Sequence, residues 1–331
     1  MSVDLSTTYL GLSLRSPLVA AASPLTGRLD RLIRFEDAGA AAVVLPSLFE
    51  EQVQADASLH SPHGGRAAAG GGVVSALDDY NAGPDAYLRL IEQARKTVHI
   101  PVIASINGSA PGAWVRFAQL IEQAGADALE LNVYYLETDG AVSGAEVEQR
   151  YVDLVAQVRQ AVRLPLAVKV GPYFTAPVHM AQRLVAAGAQ GLVLFNRFLE
   201  PDIDLDTFAV VPSVTFSRSD DVRLPLRWIG ILAGRIAASL AGSGGVHTPQ
   251  DAIKLLLAGA DVVACAAVAL EQGPGCFAVL RQGLEQWMQR HGFTSISAVR
   301  GLASQRNAPD PLAYERANYA RTIAGYAADL P

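Results

Sequence analysis

The chain has 331 residues, 50% of them hydrophobic and 18% charged, enough for one large α/β domain or two ordinary ones. A net charge of −6, a pI of about 5.5 and the lack of any Lys/Arg block argue against a polynucleotide partner. No apolar run approaches the roughly 18–20 residues of a membrane span. The two cysteines, Cys265 and Cys276, form neither a disulfide framework nor a C-x-x-C pair, so both are expected to be reduced and structural.

In chain order, Tyr9-Leu10-Gly11-Leu12-Ser13-Leu14 alternates around a glycine and predicts a hairpin that plugs the bottom of a barrel. Leu18–Ala22, preceded by Arg15 and Pro17, predicts a buried strand rather than a signal peptide, which places the protein in the cytoplasm. Further short apolar runs occur at Ala41–Leu45, Val102–Ser105, Ala128–Asn132, Leu166–Val170, Gly191–Phe195, Ser239–Gly242 and Asp261–Cys265. Their continuous hydrophobicity fits parallel strands covered on both faces. Between them, Asp85–Val98, Gly112–Ala124, Gly144–Val162, Pro177–Ala187 and Pro249–Ala258 show helical spacing, and Gly39, Gly125, Gly188 and Gly259 stand where helices end.

Eight such units fit a closed (β/α)₈ barrel, residues 1–331 forming one domain. A doubly wound sheet would show a Gly-x-Gly-x-x-Gly turn after its first strand, and here that turn reads Ala22-Ser23-Pro24-Leu25-Thr26. Two connections are too long for turns: a lid-like loop over 46–84, with Gly64–Gly72 its most glycine-rich part, and an insertion over 197–226. Both come after strands and belong to the top face, where barrel enzymes place their chemistry. The tail, 293–331, ends in a helix expected over Leu312–Tyr326, packing on the barrel or on a second subunit.

Chemistry concentrates after the later strands. Gly242-Ser243-Gly244-Gly245-Val246-His247-Thr248-Pro249 opens a helix with Thr248 as N-cap and Pro249 at its first position, a cradle for phosphate or a tight turn only. Ala266-Ala267 ends the last strand beside it. Lys169 is one of three lysines and sits in an otherwise apolar strand, so its ammonium needs a partner at the barrel mouth or a structural ion pair. Asn132 and Asn196 end their strands at the same mouth. Together these groups point to a phosphorylated heterocycle. His60 and His63 have H-x-x-H spacing without a third ligand, and Asp202, Asp204 and Asp206 read as a solvated acidic run, so no metal is expected.

The chain resembles the dihydroorotate dehydrogenase family through Gly11-Leu12-Ser13-Leu14-Arg15-Ser16-Pro17, Ala21-Ala22-Ser23, Asn81-Ala82-Gly83-Pro84-Asp85, Leu129-Glu130-Leu131-Asn132, Val168-Lys169, Gly244-Gly245 and Gln272-Gly273-Pro274, in that order. The resemblance implies an FMN-dependent oxidoreductase acting on a CH–CH bond of a small, pyrimidine-like molecule. It implies that Lys169 touches the flavin ring near N1 and O2, that Ala22 and Ser23 lie beside the isoalloxazine, and that Gly244, Gly245, Ala266 and Ala267 hold the phosphate. Asn132 would contact flavin or substrate, and Asn196 the substrate. A homodimer and a redox partner protein are the expected associations.

The sequence also departs from that family. Its proton-abstracting Cys or Ser after strand four is replaced by Tyr135, with Tyr134 adjacent, and Leu45-Pro46-Ser47-Leu48-Phe49-Glu50 lacks the lysine expected after strand two. Ser75 or Ala76 stands where an amide would bind substrate. Two other readings stay open: a non-redox barrel isomerase or lyase acting on a phosphorylated metabolite, and a flavin-binding subunit with little catalysis.

Overall fold

The computed structural model describes residues 3–53, 80–81, 83–108, 111–197 and 199–328. Eight parallel strands among them close a barrel: β3 (Leu18–Ala20), β4 (Ala42–Val44), β6 (Val102–Asn107), β7 (Ala128–Asn132), β8 (Leu166–Val170), β9 (Gly191–Leu194), β12 (Ser239–Ser243) and β13 (Val262–Cys265). Closure runs from β13 back to β3, with Cys265 opposite Ala20. The chain is therefore a (β/α)₈ barrel, and all eight strands fall where the apolar runs predict them.

A ring of helices packs outside: α1 (Leu29–Ala38), α2 (Gly83–Thr97), α3 (Pro111–Gln123), α4 (Gly144–Ala161), α5 (Pro177–Ala186), α6 (Arg223–Leu232), α7 (Pro249–Ala258), α8 (Ala267–Gln272) and α9 (Cys276–Arg290). The strands separate two apolar layers by their period of two. Leu18, Val43, Leu129, Val168, Leu192 and Val263 face the helices, while Val19, Ala42, Ala128, Ala167, Val193 and Val262 face inward. Each of Gly39, Gly125, Gly188 and Gly259 has positive φ at a helix end, a conformation that side chains with a Cβ resist. No helix among the described residues is long and apolar enough to cross a membrane.

The expected hairpin is present as β1 (Thr7–Tyr9) and β2 (Leu12–Leu14), joined by Leu10-Gly11, both with positive φ. That two-residue turn matches the strand twist. It drives Tyr9, Leu10 and Leu14 into the inner apolar layer, so the hairpin plugs the barrel from below. Gly191 makes room for it, since a Cβ there would lie 2.5 Å from Leu10 Cδ2.

The two long connections carry short elements of their own. Of 46–84, the described part adds the short strand β5 (Leu48–Phe49) onto β6; Gly64–Gly72, His60, His63 and Ser75 lie outside the described residues. The stretch 197–226 holds a separate hairpin, β10 (Pro201–Ile203) with β11 (Val210–Pro212), and its end already belongs to α6. The alternation at Asp202-Ile203-Asp204 is the period of a strand as well as an acidic run. Asp204 closes the turn by accepting from the backbone N–H of Asp206 and Thr207 and from Thr207 Oγ1. Pro225 does not break α6, because it sits in the first turn where a backbone N–H has no helical partner. The last helix, α11 (Arg316–Ala328), comes after a short α10 (Ile296–Val299) and starts later than Leu312, since Asp310 caps a 3₁₀ turn over Pro311–Tyr314. Tyr314 anchors that turn on the barrel by donating to the Ala303 carbonyl and packing over Gly230, while Tyr319, Ile323 and Tyr326 of α11 are exposed.

Candidate active site

A cleft of about 780 Å³ opens at the C-terminal ends of the strands. It collects Ala22, Ser23, Asn132, Lys169, Asn196, Gly244, Gly245, Ala266 and Ala267, which the sequence singled out from six different strand ends. Its size is that of a cofactor or drug-sized ligand site.

The register explains the convergence. Asn132 and Lys169 are directly opposed on β7 and β8, and the Asn196 side-chain amide donates to Asn132 Oδ1 at 2.8 Å. Lys169 is 9% exposed, yet its ammonium makes no hydrogen bond or ion pair with a described residue. A buried cation left this way is costly unless something anionic or polar meets it from the cleft. Beneath it on the inner face of β7 lies Glu130, whose carboxyl is pushed up by burial and held down in part by Lys169.

On the other side, β12 and β13 run together with Ser243 opposite Ala264, which sets the Gly244-Gly245 turn beside Ala266-Ala267. Both glycines have positive φ. A Cβ on Gly244 would meet nothing within 4 Å, so its backbone is open to the cleft; one on Gly245 would lie 2.2 Å from the Val222 backbone nitrogen. The start of α7 is capped as the sequence predicts, Thr248 accepting from Asp251 N with Pro249 next. Asp251 occupies that helix start itself: its buried carboxylate accepts from Ser219 Oγ, His247 N, Thr248 N and Thr248 Oγ1. Backbone donors for an anion therefore come from the glycine turn rather than from the end of α7. His247 stands behind it, its ring 3.4 Å from Ser217 Oγ and 3.5 Å from Glu271.

Tyr135 is not among the residues lining the cleft. Its ring meets Tyr151 edge-on at 4.7 Å, and Tyr151 in turn meets Phe174. Burial, then Tyr151, pushes the Tyr135 phenol up to about 12. The cleft wall on that side instead carries Ser47, Phe49 and Tyr80, none of which the sequence singled out as a site residue. Tyr80 packs edge-on to Phe49 and is likewise pushed up to about 12 by burial. Ser47 shares a 2.8 Å hydrogen bond with Ser105 on β6. Their signal was position alone: Ser47 and Phe49 come after β4, and Tyr80 precedes α2. Arg197, next to Asn196, also lines the cleft and pairs with Asp221 at 3.2 Å. Cys265 and Cys276 are free and buried. No group of three metal-ligating side chains occurs among the described residues.

A family profile described as dihydroorotate dehydrogenase matches residues 4–288. A protein of Aeropyrum pernix named for dihydroorotate dehydrogenase A (fumarate) is 31% identical over 91% of this chain and 97% of its own length. The dihydroorotate dehydrogenase B (NAD(+)) catalytic subunit of Methanothermobacter thermautotrophicus is 29% identical over 90% and 98%, and that of Pyrococcus abyssi 26% over 90% and 99%. An open barrel mouth with a solitary buried lysine, a glycine turn facing it, and this near full-length similarity agree: the chain belongs to the dihydroorotate dehydrogenase family of flavoprotein oxidoreductases acting on CH–CH groups.

Proposed function

We propose that the cleft holds FMN and that the protein, working in the cytoplasm, oxidises or reduces a carbon–carbon bond of a small pyrimidine-like substrate. The observation that carries this reading is the Lys169 ammonium at the cleft, nearly buried and with no hydrogen bond or close ion pair among the described residues, Glu130 acting on it only as a charge from below. The residues present fit the group: Gly244 and Gly245 with Ala266 and Ala267 take the phosphate, Ala22 and Ser23 border the ring, and Lys169 faces its electron-rich edge. A single phosphate cradle among the described residues favours FMN over a dinucleotide.

FMN, when bound, supplies two-electron exchange with a C–H bond. The protein's part is to bind, orient and move a proton. The Asn196–Asn132 bond leaves Asn132 Nδ2 as donor and Asn196 Oδ1 as acceptor toward a substrate amide edge. A phenol is assigned as proton donor. Tyr135 is the candidate drawn from the sequence, and Tyr80 is favoured by its place in the cleft wall. Both phenols are pushed up to about 12 by burial, so each carries its proton at neutral pH and is available as a donor rather than as a base.

Electrons are exchanged with a protein partner, as the similarity to B-type catalytic subunits supports. The barrel works as a homodimer through the β10–β11 hairpin, where Leu205, Phe208 and Val210 are exposed. The unpaired Cys265 and Cys276 suit a reducing compartment. The test is direct: extract the cofactor and identify it by mass, then ask which pyrimidines and related unsaturated ring compounds change the flavin absorbance. FAD, or no flavin after reconstitution, removes the proposal.

A further inference from the structure

Glu130 is a carboxylate beneath the cleft, 5% exposed in the barrel interior. It shares a face of β7 with Ala128 and Asn132, and Ala128 belongs to the inner apolar layer. In the ladder it stands opposite Ala167 on one side and Ser105 on the other. It makes no hydrogen bond or ion pair with a described residue. The titratable groups facing it are Lys169 from β8, two residues nearer the mouth than Ala167, Tyr9 from the plugging hairpin, and Tyr87 from α2. The Tyr87 hydroxyl is held by Ser105, donating to its carbonyl and accepting from its N–H. Among the described residues, Lys169 is thus the one cation that compensates a charged Glu130.

Two opposite charges in such an interior sum to zero, and one more negative charge against Lys169 leaves the buried set with a net charge. Low-dielectric surroundings disfavour that state. The least costly response is for the interior carboxylate to take a proton.

Resting on the FMN reading above, we infer that Glu130 is a positioning residue for charge: ionised while the cofactor is oxidised, it binds one proton from solvent when two electrons arrive against Lys169. The balance closes. Two electrons and one proton, taken at N5, leave one negative charge on the ring beside Lys169, and a second proton converts Glu130 from carboxylate to carboxylic acid. The electrons come from whatever reduces the protein. On the side from which the second proton enters, Ser47 lines the cleft and bonds Ser105, which stands opposite Glu130 in the ladder.

The test uses the flavin-loaded protein, reduced stepwise at an electrode through a trace of mediator without oxygen, so that electrons arrive without protons, while an indicator dye reads proton uptake above the ordinary carboxylate range. Wild type is expected to bind about two protons per two electrons and Glu130→Gln about one, the linked ionisation having been removed. Equal counts in the two proteins, or one proton in wild type, overturn the inference. Should Glu130→Gln fail to fold or to hold flavin, the infrared difference between reduced and oxidised wild type decides. A new protonated-carboxyl band that shifts in deuterium oxide supports the inference, and its absence overturns it. Wild-type protein that holds no flavin fails the FMN reading before any reduction and takes this inference with it. Flavin-loaded wild type binding one proton fails this inference alone.

Discussion

Replacing Lys169 by methionine keeps the length of the side chain and removes its charge, which separates packing from electrostatics. On the proposed assignment the ammonium would supply one charge-assisted contact to the flavin ring, and losing it would cost about 1.5–3 kcal/mol, roughly a 10- to 150-fold weaker FMN affinity. A second effect comes from below. Glu130 already has its carboxyl raised by burial, with Lys169 the opposing influence, so Lys169→Met raises it further. A carboxyl raised on folding gives stability that is fully present below the unfolded value, here 4.5, and is lost as pH rises through the folded value. The flavin-free variant should therefore lose stability relative to wild type as pH climbs above 4.5, and adding Glu130→Gln should flatten that dependence. Fluorescence titration of FMN gives the affinity, and urea unfolding across pH gives the stability. Unchanged FMN affinity together with an unchanged pH profile would refute both roles of Lys169.

Gly245→Ala should abolish or strongly weaken FMN binding, because the new Cβ would meet the Val222 nitrogen at 2.2 Å in a residue already at positive φ, whereas Gly244→Ala is opposed by φ alone; equal flavin retention in both variants counts against the assignment. Tyr80→Phe and Tyr135→Phe should leave reduction by an artificial donor intact. The variant lacking the true acid should slow reoxidation by substrate at least roughly tenfold, and wild-type reoxidation in both would exclude a phenol donor. Dihydroorotate should reduce the flavin poorly, since Leu45-Pro46-Ser47-Leu48-Phe49-Glu50 after β4 holds no lysine to meet its carboxylate; rapid bleaching at micromolar concentrations would contradict this. Phe208→Ser, at an exposed hairpin tip, should shift sedimentation from dimer to monomer while FMN stays bound, and a monomeric wild type would end the dimer proposal.

The barrel was legible because each of its signals is local. A parallel strand buried on both faces must be an unbroken apolar run, and Leu166–Val170 or Gly191–Leu194 can be little else when flanked by helical spacing. The plugging hairpin was equally plain, because Leu10-Gly11 turns the chain and the alternation on each side selects which residues enter the barrel. The insertion hairpin was missed because acidic alternation reads equally as a strand and as a solvated run. Its geometry is fixed by the Asp204 turn, which depends on where a side chain points.

The candidate site divides along the same line. Groups standing on strand ends, such as Asn132 and Lys169, are located once the strands are, because register alone brings them face to face. Tyr135 shows the limit: three residues beyond the end of β7, its direction is set by packing against Tyr151 of α4, a contact no spacing in the loop encodes. Glu130 fails differently. Its position was evident, two residues before Asn132, but its importance lies in what it lacks, a partner among the described residues other than the Lys169 charge, and only the assembled barrel shows that. A family motif names residues that touch ligand. The charge state those residues work in is set one layer deeper, which makes the proton count on reduction a sharper probe of this barrel than the identity of its mouth residues.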